Sequence, residues 1–133
     1  MIAELDELLR SLEPRLNPGD YVFLSLPEGG RFEPSAAVAF IREAEGISVV
    51  MHAAAAAAAG FPITQTYAWI SLSVHSDLQS VGLTAALSQA LAARQISCNV
   101  VAGARHDHLF VPSSQAQAAL AELQSLQRQH SLG

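Results

Sequence analysis

Residues 67–112, YAWISLSVHSDLQSVGLTAALSQALAARQISCNVVAGARHDHLFVP, decide the fold. Tyr67 to His75 alternates, with Ala68, Ile70, Leu72 and Val74 on one side and Tyr67, Trp69, Ser71, Ser73 and His75 on the other. That period of two belongs to a strand with one face in a core. Ser80 to Gln95 changes period. Leu83, Leu87 and Leu91 recur every fourth residue, Ala86 and Ala90 fill the same stripe, and Ser88, Gln89 and Arg94 lie outside it. This is a helix laid on a sheet. Ile96–Ala102 and Asp107–Val111 are β-rich runs joined through Gly103-Ala104-Arg105-His106, a short hairpin connection. After Pro112 a last helix starts at Ser113 or Ser114, with Ala116, Leu120 and Leu123 inward and Ser114 and Gln117 spaced as a capping box.

The order strand, helix, strand, strand, helix leaves the sheet one strand short. The open edge must be covered by another part of the chain, for which Tyr21–Leu26 is the candidate, or by another subunit. Upstream, residues 2–12 read as a helix with the stripe Ile2, Leu5, Leu9, Leu12, stopped by Pro14. Tyr21–Leu26 reads as a strand, Pro34–Glu45 as a helix burying Ala37, Val38, Ile41 and Ala44 and ended by Gly46, and Ile47–Met51 as a strand. Ala53–Ala59 gives about two helical turns. Strand, helix, strand thus occurs at 21–51 and again at 67–102.

The arrangement β-α-β-β-α, with Val81-Gly82-Leu83 opening the helix, Ile96-Ser97-Cys98-Asn99-Val100 starting the next strand and His106–Pro112 closing the unit, resembles an ACT domain. With a first half similar to a degenerate ACT unit, the chain is similar to the small stand-alone tandem-ACT proteins of bacteria, whose function is uncharacterised. The resemblance implies an α+β, ferredoxin-like fold: an antiparallel sheet covered by helices, with an ACT-like subdomain at 1–62 and an ACT domain at 63–133. It also implies a non-catalytic regulatory module that binds a small metabolite, most simply an amino acid, and needs no cofactor. The ligand-binding residues it implies are Asp77, Val81, Gly82 and Leu83 in the turn into the helix.

The residues themselves say why that turn suits an anion. Free N–H groups and the helix dipole favour a carboxylate there, and Gly82 permits close approach to the backbone. The alternative is a plain turn with Asp77 or Ser80 as N-cap. Asp107, one of three acids after Glu45, is placed to accept an α-ammonium, or else pairs with Arg105 or His106 or caps the hairpin. Asn99 bonds a ligand or its neighbouring strand.

Composition narrows the functions. Half of the 133 residues are hydrophobic and 14% are charged, which is a folded composition. A net charge of −5 with no basic stripe argues against a nucleic-acid partner. All seven basic residues are arginine, so neither a lysine Schiff base nor a P-loop is available. One cysteine, no leader-like segment and no apolar run of membrane-spanning length lead to the expectation of a cytoplasmic protein. Nine of the twelve acids lie in residues 1–45, and 67–103 holds only Asp77 and Arg94 as charged residues, which suggests a homo-oligomer formed through the second half. An enzyme reading has no support: Ser73, His75 and Asp107 occur without a nucleophile elbow, and a third metal ligand beside His106-x-His108 would have to come from His75 or Asp107, which the sequence does not place together with them. The other reading is a structural or dimerisation module that acts through a protein partner without a ligand.

Overall fold

The alternation in Tyr67–Leu72 is realised as strand β5, in which every second residue is buried. A computed structural model describes residues 2–131 and divides them into two units, one built from the chain up to Pro18 and from Ala68 onward, the other from Gly19–Tyr67. The elements are α1 (Ile2–Arg10), β1 (Pro14–Leu16), β2 (Tyr21–Pro27), β3 (Ala37–Glu43), β4 (Gly46–His52), α2 (Ala53–Ala58), β5 (Tyr67–Leu72), α3 (Leu83–Ala93), β6 (Asn99–Ala102), β7 (Asp107–Pro112) and α4 (Ala116–Ser131).

The first unit carries β1, β5, β7 and β6 side by side. β6 and β7 form the expected antiparallel hairpin, with Ala102 opposite Asp107 and Asn99 opposite Phe110. One face of the sheet meets α3, α1 and α4. Leu83, Leu87 and Leu91 of α3, Ile70 and Leu72 of β5, Leu109 and Val111 of β7, and Ala119 and Leu123 of α4 close a single apolar core with Leu9 and Leu12. Each fully buried Leu contributes about 1.5–3 kcal/mol relative to exposure. The Ile2 side chain, expected in the α1 stripe, lies outside the described residues. Cys98 packs at the margin of this core, and burial raises its thiol pKa to about 11.

The edge of β5 is covered differently from the expectation. Pro14–Leu16 pairs antiparallel with Leu72–Ile70, and Ser73 and Val74 donate their N–H groups to the carbonyls of Glu13 and Leu12. Pro14 therefore starts an edge strand, where its missing N–H does no harm. Tyr21–Leu26 is a strand, but of β5 it reaches only Tyr67, opposite Tyr21.

The second unit corrects the reading of 34–45. Only Pro34–Ala36 turns, as a single 3₁₀ segment, and Ala37–Glu43 is strand β3 rather than helix. It pairs antiparallel with β4, which pairs with β2, so 21–52 is a three-stranded antiparallel arrangement with β4 in the middle and not strand, helix, strand. The reason is local. Val38, Phe40 and Ile41 are β-prone, and Ala44-Glu45 makes a two-residue turn into Gly46. Gly46 is not a helix stop. It lies against β2, where a Cβ would collide with the Leu26 carbonyl oxygen. Val22, Leu26, Val49, Met51 and Ala56 form the core of this unit. The alanine block does form helix α2, with Ala56 buried. After Pro112, residues 113–115 form a 3₁₀ turn and α4 begins at Ala116, past both serines expected to start it.

Candidate ligand-binding site

The chain leaves β5 at Leu72 and must turn before α3 begins at Leu83. Ser76 anchors that turn, with its N–H donating to the Arg105 carbonyl at 2.9 Å and its side chain buried. Asp77 organises the next step: its Oδ1 accepts from the Gln79 N–H at 3.1 Å and its carbonyl accepts from the Ser80 N–H at 2.9 Å. Gly82 then takes φ +100°, a left-handed conformation that L side chains rarely adopt, and α3 starts without any side-chain cap. The N–H groups of its first turn are thus left without a side-chain partner.

Asp107 enters from the start of β7. It is partly buried, Ser76 Oγ stands 3.5 Å from its Oδ2, and among the described residues it makes no ion pair. Neither Arg105 nor His106 takes it up. Ser76, Asp77, Ser80, Leu83, Thr84 and Asp107 surround a cleft of about 90 Å³. A roomier recess of about 490 Å³, lined by Glu4, Leu8 and His75 among others, shares Asp77, Leu78 and Ser80 with it. Ser80 Oγ is buried and has no hydrogen-bond partner among the described residues. A lone buried hydroxyl is the kind of group a ligand satisfies.

The structure therefore brings Asp77, Leu83 and Asp107 together. Gly82 adjoins them but does not line the cleft; a Cβ on it would stand 3.0 Å from Leu5 Cδ2 of α1. Val81 projects outward, 77% exposed. Asn99 lies at the other end of the hairpin, three residues from the pair Ala102–Asp107 and so about 10 Å along the strand. Its amide bonds the Phe110 carbonyl at 3.4 Å, the neighbouring-strand alternative. Ser76, Ser80 and Thr84 were not legible as site residues. The one signal available was their position in the Ser-rich turn around Asp77.

A sheet with helices on one face, fed by a turn that opens a helix above the edge of a hairpin, is the ferredoxin-like architecture of small regulatory modules. ACT-domain profiles match residues 2–68 and 57–125, and the chain belongs to the ACT domain family. It is 38% identical to a Vibrio cholerae protein of unknown function described as a possible transport protein, over 92% of this chain and 96% of that one, with a TM-score of 0.77. An Agrobacterium tumefaciens protein shares the fold at 18% identity, 86% and 87% coverage and a TM-score of 0.64. The regulatory subunit of aspartate kinase from Thermus flavus shares it at 12% identity, 87% and 98% coverage and a TM-score of 0.61. No protein of curated function matches the chain. Among the described residues no helix is long and apolar enough to cross a membrane.

Proposed function

We propose that the chain is a non-catalytic sensor that binds a free amino acid in the cleft at the start of α3 and signals through its own assembly or through a partner. One observation carries the reading: an uncapped helix N-terminus and a carboxylate that makes no ion pair among the described residues face one cleft that also holds a hydroxyl without a partner among them. The ligand carboxylate sits on the N–H groups of the first turn of α3, and its ammonium is taken by Asp107, with Asp77 alongside. The smaller cleft suits the main-chain part of an amino acid, and the adjoining recess receives the side chain. A general-acid pair or an activated nucleophile plays no part in this reading. Membership of the ACT family supports regulation by a metabolite, since such domains are commonly regulatory. The subdomain boundary at 62/63, a homo-oligomer, a cytoplasmic setting and the absence of a nucleic-acid partner belong to the same proposal.

Calorimetric titration of the twenty amino acids into the wild type and into Asp107→Asn tests it. The variant removes a charge-assisted hydrogen bond, and affinity is expected to fall about 10- to 150-fold. Equal affinities in the two proteins would remove Asp107 from the site.

A further inference from the structure

Asp107 and His108 are neighbours in β7 and therefore face opposite sides of the sheet. On the side of His108, turned away from α3, lies a second cleft of about 390 Å³ with a different character. Its lining includes Arg15, Asn17, Trp69, Ser71, Ser73 and His108, and contains no acidic residue. Register explains the grouping: Arg15 lies directly opposite Ser71 across the β1–β5 ladder, so both point to one face together with Trp69.

The inner wall is fixed by hydrogen bonds. Trp69 Nε1 is 3.1 Å from His108 Nδ1, and Ser71 Oγ is 3.2 Å from the same nitrogen. Asn17 Nδ2 donates to Ser71 Oγ at 2.9 Å and to the Trp69 carbonyl at 3.2 Å. An indole N–H can only donate, so His108 Nδ1 is the acceptor and the ring carries its proton on Nε2. The Nε2–H makes no hydrogen bond among the described residues and lies over Gly103, where a Cβ would stand 3.3 Å from it. His106 Nδ1 is 3.1 Å from the Val74 carbonyl, so it donates there. Among the described residues the donors left without a partner are the Arg15 guanidinium, the Ser73 hydroxyl and the His108 Nε2–H. Arg15, Ser73 and His108 all line the cleft, beside an indole ring stacked on Phe110, and the Arg15 guanidinium and the Ser73 hydroxyl lie on the side of the β1–β5 ladder.

We propose that this cleft is a second ligand site, independent of the cleft at α3, that takes a small organic oxyanion, its carboxylate or phosphate held by the Arg15 guanidinium with the Ser73 hydroxyl and its body lying against Trp69. One cation, several donors, no acid and one aromatic surface are what such an anion requires. The volume is in the range of small-molecule pockets. A cation or an amine ligand finds no counter-charge here.

Trp69 is the only tryptophan of the chain, so its fluorescence reports on this cleft. The whole chain is titrated with benzoate, succinate and inorganic phosphate up to about 10 mM, enough to occupy most of a site with a Kd of about 1 mM. A saturable change is expected with at least one probe, and whether a carboxylate or phosphate gives it assigns the source of the anion. Arg15→Gln is expected to weaken it at least about tenfold and Arg15→Lys to weaken it less, because lysine keeps the charge but not the fork. Asp107→Asn is expected to leave it unchanged. No saturable response from any probe, a response that survives Arg15→Gln, or one abolished by Asp107→Asn overturns the proposal. The last result would assign the signal to the α3 cleft instead.

Discussion

Replacing Gly82 by Ala tests the turn that opens the candidate site. Gly82 has φ +100° and ends the loop one residue before α3. Holding an L-residue in left-handed backbone costs about 1–2 kcal/mol. The new methyl would also stand 3.0 Å from Leu5 Cδ2, the end of a flexible side chain that yields by a small rotation. That adds a fraction of a kcal/mol, for a total of about 1–3 kcal/mol. For a chain of this size the melting temperature then falls by roughly 3–10 °C. Urea unfolding should show a lower midpoint with an unchanged slope, because the surface exposed on unfolding is the same. Gly82→Asn should cost less than Gly82→Ala, since asparagine tolerates left-handed backbone better. Adding Leu5→Ala separates the two contributions: the backbone part persists and only the contact part disappears. Gly82→Ala as stable as the wild type, or a penalty that vanishes with Leu5→Ala, would refute the strained-turn account of how α3 begins.

Leu87 has no exposed surface at the centre of the first core, and Leu87→Ala is expected to destabilise by about 2–5 kcal/mol in denaturant unfolding. His108 is held below the usual histidine pKa by burial and by the nearby His106, with Asp107 opposing. Its neutral form is the folded form, so its contribution is fully present above the unfolded value near 6.5 and is lost as pH falls toward the lowered folded value. Melting curves should show this loss on acidification, smaller in His108→Gln. The Cys98 thiol, raised to about 11, should react with a disulfide reagent near pH 8 about a hundredfold more slowly in the folded than in the unfolded chain. Equal rates would show the thiol to be open to solvent.

The sequence is most readable where its period is longest. The alternation of Tyr67–Val74 and the four-residue spacing of Leu83, Leu87 and Leu91 each specify one buried face, and the structure buries those faces. Ala37–Ile41 offers no such signal. Five consecutive apolar residues fit either face pattern, and pairing with β4 decides the matter, which is tertiary information. Pro14–Leu16 is too short to show a period at all, so the strand that completes the β5 edge could not be seen. The site divides along the same line. Asp77 and Leu83 belong to one continuous turn, and Asp107 joins them because the hairpin register puts it opposite Ala102. That register also carries Asn99 to the far end, and no spacing in the sequence announces it.

The central claim is tested most directly by melting the purified chain in the presence of each of the twenty amino acids. A ligand present at about a hundred times its Kd stabilises the folded state by ~2.7 kcal/mol. For a chain of this length that raises the melting temperature by several degrees. The account predicts such a rise for at least one amino acid. A folded protein whose melting temperature none of the twenty moves would contradict it.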